Sequence, residues 1–193
     1  MAWVSTSPLV KTYTLEEFWE LPEPPDRSKL ELIAGVLYMT PPPTQFHNDS
    51  VSRLSRLLIE HQLKTGDKGR FYYPRAGIVK GPNSWLEPDL FYVAADAQAY
   101  RDPAYPDYNS TADLVIEVIS PSSAIYDRNT KADTYAALGV KELWLVDEGA
   151  GIIEVRVLKG DQYAPSIVFE RDDHLKSTVL LGFEVRVGSV FGS

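Results

Sequence analysis

Cysteine is absent from this chain of 193 residues, which excludes both a disulfide framework and a thiolate metal site. The chain also lacks any apolar run near the roughly 18 residues that a membrane-spanning helix needs. Residues 1–10 contain no basic segment followed by a long apolar core, so they do not have the pattern of a signal peptide. We therefore expect a cytoplasmic protein with no membrane partner.

Basic residues are in the minority, with 19 Lys and Arg against 27 Asp and Glu, a formal net charge of −8. Proteins that hold nucleic acid mainly by neutralising its phosphates carry a basic face. The balance therefore argues against a nucleic-acid binder that works without help. It does not exclude an enzyme whose acidic groups bind Mg²⁺, because the ion reverses the local field.

The residues that are present predict a globular α/β protein. Apolar residues make up 44% of the chain and aromatic residues 11%, which is ordinary for a packed core. The length fits one domain, 1–193, with a core over about residues 12–147 and a strand-rich C-terminal extension over about residues 151–187. Helices and strands alternate in blocks, which predicts a mixed sheet.

Local patterns predict the individual elements. Thr14 and Glu17 have the spacing of a capping box and predict a short helix. A hairpin is expected about Ala34 and Gly35, and a long helix beginning near residues 45–48. Further strands are predicted over residues 70–73, 76–80, 86–93, 141–147, 152–158, 163–170 and 177–181, with a long irregular excursion over 96–112 and a helix from about 124 or 127 to 138.

The main functional clue is a pair of acidic residues in apolar strands. Glu117 stands in the middle of residues 113–119, an aliphatic run typical of a strand buried on both faces. A carboxylate there must be neutral, paired with a cation or bound to a metal, because burial removes its hydration. Asp89 enters a second apolar strand just after Pro88. If the two strands are neighbours, both carboxylates lie at one place.

The chain resembles the Uma-two family of endonucleases, within the PD-(D/E)xK nuclease superfamily, in several motifs that occur in order. These are Glu31 to Gly35, His47, Glu87-Pro88-Asp89, residues 113–122, residues 131–135 and residues 139–147. The resemblance implies a restriction-endonuclease-like fold, in which helices flank a central mixed sheet. It implies metal-dependent cleavage of phosphodiester bonds, with DNA a better candidate than RNA, and it favours a homodimer.

The resemblance also implies roles for particular residues. Asp89 and Glu117 would supply hard oxygen ligands to Mg²⁺, with Mn²⁺ as a substitute. The superfamily pattern places a lysine two residues after the glutamate, but this chain has Ile119 there. Lys131, on the next helix, is therefore the candidate for the amine that orients the water. Glu31 and His47 are the auxiliary candidates.

Each of these residues also has a structural interpretation. Asp89 could accept hydrogen bonds at a strand start, and Glu117 could belong to a buried ion pair. Lys131 stands four residues after Asp127, which suits a surface pair. Glu31 could lie on a solvated strand face, and His47 could cap or pack at a helix start. Ser120 and Ser122 lack a partner histidine at a telling spacing and are better candidates for helix caps than for nucleophiles.

Two other functions stay open at this stage. The acidic balance and the missing lysine after Glu117 would suit a non-catalytic homo-oligomeric interaction module on a nuclease-like scaffold. Tyr100, Tyr105 and Tyr108 could stack on bases or lie in a dimer interface, and the interface is favoured. A glycosidase that uses two carboxylates is the third candidate, although the aromatic pattern does not single it out.

Overall fold

The structure is a computed structural model that describes residues 11–96, 101–102, 104–119 and 124–192. The interpretations of Tyr100, Ser120 and Ser122 fall outside these residues. The helices are α1 (Leu15–Trp19), α2 (Gln45–Thr65), α3 (Ala124–Tyr126), α4 (Ala132–Ala137) and α5 (Gly188–Phe191), with a π-helical segment (Asp127–Lys131) between α3 and α4. The strands are β1 (Lys29–Ile33), β2 (Val36–Thr40), β3 (Arg70–Tyr72), β4 (Ile78–Lys80), β5 (Ser84–Leu86), β6 (Leu90–Val93), β7 (Arg101–Asp102), β8 (Tyr105–Asn109), β9 (Leu114–Ile119), β10 (Glu142–Asp147), β11 (Ile152–Lys159), β12 (Gln162–Tyr163), β13 (Ile167–Phe169), β14 (His174–Lys176) and β15 (Glu184–Arg186).

A seven-stranded mixed sheet forms the centre of the molecule, in the order β12-β11-β10-β9-β6-β3, with β13 also paired to β11. Strands β9 and β10 are parallel and are joined by the helical stretch α3 to α4, as expected for a β-α-β connection. The other pairings in this sheet are antiparallel. The predicted α/β fold with a mixed central sheet is confirmed.

Both faces of the central sheet are covered, which explains why β9 is buried at every position. Leu114, Ile116 and Val118 face a core that includes Leu54 and Leu58 of α2 and the C-terminal residues of the chain. Alternate residues of the same strand pack with α4 on the opposite face. Glu117 lies on the α4 side, so its carboxylate enters a layer that is otherwise aliphatic and aromatic.

A second sheet, of six strands in the order β2-β1-β5-β4-β8-β7, lies beside this layer. Helix α1 begins at a complete capping box, in which the Thr14 hydroxyl accepts from Glu17 N–H and the Glu17 carboxylate accepts from Thr14 N–H. The helix buries Leu15 and Phe18 against the second sheet, around Trp85. This sheet carries β1, and therefore Glu31, towards the central sheet.

Four sequence-based element assignments are wrong. The expected strand at 86–93 is two strands in different sheets, β5 ending at Leu86 and β6 beginning at Leu90, because Pro88 between them has no N–H to donate to a ladder. The expected strand at 177–181 is a turn, because the Ser177 hydroxyl accepts from the N–H groups of Val179 and Leu180, and the strands there are β14 and β15. The segment 163–170 is not one strand, since Pro165 separates β12 from β13. The excursion expected to be irregular contains β7 and β8, which join the second sheet.

The C-terminal part of the chain also contributes to the central sheet. Strand β11 pairs with the whole of β10, from Glu142 opposite Val157 to Asp147 opposite Ile152. Glu142 is fully buried and accepts hydrogen bonds from Trp144 Nε1 at 2.6 Å and from the N–H of Thr178 at 2.7 Å. This carboxylate ties the last segment to the sheet. No helix in the described part of the chain is long and apolar enough to cross a membrane.

Candidate metal and nucleic-acid site

Asp89 and Glu117 are neighbours across two adjacent strands. In the antiparallel pairing of β6 with β9, Leu90 lies opposite Ile116, so the next step of the same register brings Asp89 opposite Glu117. Residues directly opposite in such a pair project to the same face of the sheet. Both residues line one cavity, and their charges interact. The expectation that neighbouring strands bring the two acids together is therefore met by the geometry.

The Asp89 carboxylate is almost fully buried and is held through one of its oxygens. Its Oδ2 accepts from Val118 N–H at 2.8 Å and lies 3.0 Å from His47 Nε2. Burial alone would raise the pKa of Asp89, but the hydrogen bond from His47 and the charges of Lys29, His47 and Lys131 lower it below its ordinary value. Asp89 is therefore an anion at neutral pH.

Glu117 and Lys131 form a buried ion pair. Lys131 Nζ donates to Glu117 Oε1 at 2.7 Å, and Tyr135 donates its hydroxyl to the same oxygen at 2.6 Å. Burial raises the pKa of Glu117 to about 7, against the opposing effect of the Lys131 ammonium. The pKa of Lys131 lies well above its ordinary value, because the nearby carboxylates outweigh its desolvation. Lys131 is therefore an ammonium ion, able to donate but not to accept a proton.

Two more acids complete the surroundings of Lys131. Its Nζ lies 3.0 Å from Glu31 Oε2 and 3.7 Å from Asp127 Oδ1, and all these side chains are at most 6% exposed. The contact with Glu31 is an ion contact without hydrogen-bond alignment, since Glu31 Oε2 has no hydrogen-bond partner. Glu31 Oε1 accepts from Glu87 N–H at 2.8 Å, which links β1 to the motif that carries Asp89.

The π-helical segment explains how Lys131 reaches the sheet. Asp127 and Lys131 are its first and last residues, and both are buried. Such a segment widens one helical turn and changes the direction of its side chains, and it occurs often at functional sites. The interpretation of Lys131 and Asp127 as a surface pair is wrong, because Lys131 is only 1% exposed. The solvated-face interpretation of Glu31 is wrong for the same reason.

His47 lies at the beginning of α2, where its N–H donates to the N-cap Thr44 hydroxyl. Its ring reaches Asp89 through Nε2, while Nδ1 is buried without a hydrogen-bond partner. Burial lowers the pKa of His47, but the hydrogen bond and charge of Asp89 outweigh burial and leave it raised. The interpretation of His47 as the helix cap is wrong, because Thr44 is the N-cap and the His47 ring contacts Asp89 instead.

These residues open onto a cavity of about 690 Å³. Asp89, Glu117, Lys131 and His47 line it, whereas Glu31 lies behind Lys131 and is not part of its surface. The structure thus brings together all five residues that the sequence singled out, four at the cavity surface and one beneath it. Their roles in chemistry stay predictions.

Two further residues contribute to the site, and the first of them was not singled out from the sequence. Lys29 lines the cavity and donates from Nζ to the Glu87 carbonyl at 2.7 Å. Lys29 stands two residues before Glu31 on β1, so both side chains point to the same face of the strand. That spacing was the signal in the sequence that could have indicated Lys29. Tyr135, within the motif of residues 131–135, is fully buried in the core, and its hydroxyl holds Glu117.

The donor set fits a magnesium ion held by two carboxylates. Among the described residues, neither Asp89 Oδ1 nor Glu117 Oε2 accepts a hydrogen bond, so each acid keeps one oxygen available. That same part of the chain contains no cluster of three or more His, Asp or Glu side chains arranged to hold a metal. Mg²⁺ is commonly bound by one or two carboxylates together with waters and substrate phosphates, whereas zinc requires three or four protein ligands.

Comparison with known proteins identifies the family and the fold. The family model of Uma2, described as "Putative restriction endonuclease", matches residues 15–188. Among solved structures, a chain from Anabaena variabilis described as a "putative nuclease belonging to DUF820" is similar, with a TM-score of 0.73 and 19% sequence identity. The match covers 93% of this chain and 97% of that one, and at this identity it shows the fold alone. No curated protein matches the chain.

Proposed function

From the premise that this chain belongs to the Uma2 family, we propose that it is a metal-dependent endonuclease that hydrolyses phosphodiester bonds in DNA. The observation that carries the proposal is the meeting of Asp89 and Glu117 across β6 and β9, with the Lys131 ammonium 2.7 Å from Glu117 and a cavity in front of them. Two acids and one amine beside an open cavity are the groups that metal-assisted phosphodiester hydrolysis needs.

In this proposal Asp89 and Glu117 hold Mg²⁺ through the oxygens that the protein leaves unbonded. When bound, the ion polarises the phosphoryl oxygen and lowers the pKa of a water molecule. Glu117 must be deprotonated to act as a ligand, so its pKa near 7 links metal binding to pH. Val118 N–H and His47 keep the Asp89 carboxylate in one orientation.

Lys131 serves as a donor and a positive charge. Its pKa lies well above the ordinary value, so it cannot remove a proton from water at neutral pH. It can orient a water molecule or stabilise the negative charge that develops on the phosphate. The absence of lysine at position 119 is compatible with this role, because Ile119 is buried in the core and the amine comes from the helix instead.

A nuclease assay tests the proposal. Wild-type protein is incubated with supercoiled plasmid and with single-stranded DNA, in Mg²⁺, in Mn²⁺ and in EDTA. We expect cleavage that depends on the metal and is lost in Asp89→Ala and Glu117→Ala. Arg56→Ala, an exposed position on α2 away from the cavity, serves as the control and keeps full activity. No cleavage by the wild type, or equal cleavage by all variants, contradicts the proposal.

One observation favours a second function, a homo-oligomeric interaction module without catalysis. Lys131 already neutralises Glu117 and Glu31, so its ammonium could stand permanently where an ion would otherwise bind. Titration calorimetry separates the two functions. Saturable Mg²⁺ binding that is lost in Asp89→Ala favours the nuclease. A stable oligomer in sedimentation experiments, with no heat of binding at millimolar Mg²⁺, favours the module.

A further inference from the structure

We propose that the cavity in front of Asp89 and Glu117 takes one unpaired nucleotide of a DNA strand, whose phosphates are bound by Arg27 and Arg75. The preferred substrate is then single-stranded or locally unpaired DNA. This inference rests on the proposed nuclease function and specifies the conformation of DNA that the site accepts. Four features carry it: the size of the cavity, its proline walls, the backbone of the two arginines and the charge balance.

The size of the cavity excludes a duplex from its interior. A volume of about 690 Å³ corresponds to a cube with sides of about 9 Å, which is narrower than the roughly 12 Å of the major groove of B-DNA alone. The same volume lies within the range of about 300–1,000 Å³ typical of cavities for drug-sized ligands, and a single nucleotide is of that size. Because Asp89, Glu117 and Lys131 line the cavity, a phosphodiester reaches them only on a strand that enters it.

The walls of the cavity suit the apolar faces of a sugar and a base. Five prolines line it, three of them consecutive, at positions 41, 42, 43, 74 and 88. Proline has a fixed φ and no backbone N–H, so these walls are rigid and present few donors. A rigid apolar surface contacts every base without distinguishing its edge, and little ordering entropy is lost on binding. The walls therefore predict weak sequence preference.

The two arginines at the cavity share an unusual backbone. In the described part of the chain only three non-glycine residues have a positive φ, and two are Arg27 at 64° and Arg75 at 78°. Both line the cavity. A left-handed conformation disfavours residues with a side chain, and such strain tends to accumulate at ligand-binding sites. Glycine would adopt this backbone conformation at lower cost at both positions. We therefore infer that the arginine side chains are kept there because they bind the phosphates.

Arg75 is paired, but the pair is easily exchanged. Its Nη2 donates to Glu23 Oε2 at 3.1 Å, and the two side chains are 69% and 80% exposed. Exposed ion pairs contribute little to stability, so exchanging the Glu23 carboxylate for a phosphate is not costly. Arginine binds phosphate in a two-pronged geometry. The Glu23 carboxylate thus acts as a stand-in that a DNA phosphate displaces.

The charge balance favours recognition by a local site over recognition of a long duplex. The chain has a net charge of −8, which does not support the extended basic face used to grip duplex phosphates. Of the 19 lysines and arginines of the chain, four line the cavity: Arg27, Arg75, Lys29 and Lys131. A site of this kind contacts the phosphates of one or two nucleotides.

Binding of a labelled 15-nucleotide oligothymidylate, followed by fluorescence anisotropy in Ca²⁺ at several salt concentrations, tests the inference. A 15-base-pair duplex is the competitor, and the integrity of the DNA is checked on a gel. The variants are Arg27→Gln, Arg75→Gln and Arg75→Gly, with the exposed Arg56→Gln as control. Arg75→Gly removes the side chain and relieves the backbone, so we expect it to melt no lower than wild type while it loses affinity.

We expect the single strand to bind at least tenfold more tightly than the duplex. Each cavity variant is expected to reduce the slope of log K against log salt by about 0.7, the loss of one phosphate contact on a single strand, and Arg56→Gln to leave it unchanged. Equal competition by the duplex overturns the inference. Unchanged affinity and slope in Arg27→Gln and Arg75→Gln also overturn it.

The same samples separate this inference from the proposed function. Cleavage of duplex as fast as of single strand, still lost in Asp89→Ala, removes the inference and leaves the nuclease proposal standing. Absence of cleavage with both substrates, together with selective single-strand binding that needs Arg27 and Arg75, removes the nuclease proposal and leaves an unpaired-strand binding site.

Discussion

Replacing Lys131 by methionine is the change with the largest calculable effect. Methionine has a similar length but no charge, so the variant keeps most of the packing and loses the ammonium. Three carboxylates, those of Glu117, Glu31 and Asp127, lie within 3.7 Å of Nζ, and all are at most 6% exposed. Removing one partner of a buried ion pair costs about 3–5 kcal/mol. Since these acids are almost fully buried, we expect Lys131→Met to lose about that much stability near pH 8.

The stability lost in Lys131→Met should be larger at high pH than at low pH. Burial already raises the pKa of Glu117 from an ordinary 4.5 to about 7, and without the ammonium it rises further. A carboxyl whose folded pKa exceeds its unfolded pKa binds more protons when folded, so stability falls as the pH increases through that interval. The loss in Lys131→Met is therefore smaller at pH 5, where the acid is protonated, than at pH 8.

Urea unfolding followed by tryptophan fluorescence at pH 5 and pH 8 measures this difference. Lys176→Met is the matched control, because Lys176 is 70% exposed and its pairing with Glu184 at 3.4 Å should contribute about 0–1 kcal/mol. Added Mg²⁺ should restore part of the stability of Lys131→Met, since the ion replaces the missing charge. A loss below about 1 kcal/mol at pH 8, or the same loss at both pH values, would refute the reasoning about the buried cluster.

Three further predictions use other contacts. Mg²⁺ affinity measured by calorimetry should fall about tenfold for each pH unit below 7, because Glu117 binds a proton there; an affinity independent of pH contradicts this. In Asp89→Asn, the pKa of His47 followed by NMR should decrease, since the hydrogen bond and charge of Asp89 raise it; an unchanged midpoint contradicts the pairing. Thr178→Val should cost about 1–3 kcal/mol in urea unfolding, because Glu142 loses one hydrogen bond; Thr65→Val, at an exposed hydroxyl, is the control, and equal losses would contradict the role of Glu142.

Much of the site followed from residue chemistry alone. A glutamate inside an aliphatic strand has to be compensated, and Glu117 is compensated by a lysine. Asp89 was located by its place after Pro88 at the start of a second apolar strand, and β6 does lie beside β9. These are local patterns with strong physical consequences, since burying an uncompensated charge is too costly for the fold to tolerate.

Contacts between residues far apart in the chain could not be predicted from the sequence. Nothing in the spacing of Lys29 and Glu31 showed that β1, from a different sheet, delivers Glu31 to Lys131. The valine and leucines of residues 177–181 predict a strand, whereas the hydrogen bonds to the Ser177 hydroxyl make the segment a turn.

The sequence by itself determined which strands are buried and which of their charged residues need a compensating partner. Both follow from the pattern of apolar and charged residues along the chain. Only the tertiary structure decided which partner each one has, that Lys131 contacts both Glu117 and Glu31, and that Arg27 and Arg75 stand at the same cavity. The physical reason is that strand neighbours, the course of the π-helical segment and the walls of a cavity depend on residues far apart in sequence, and no local pattern encodes their distances.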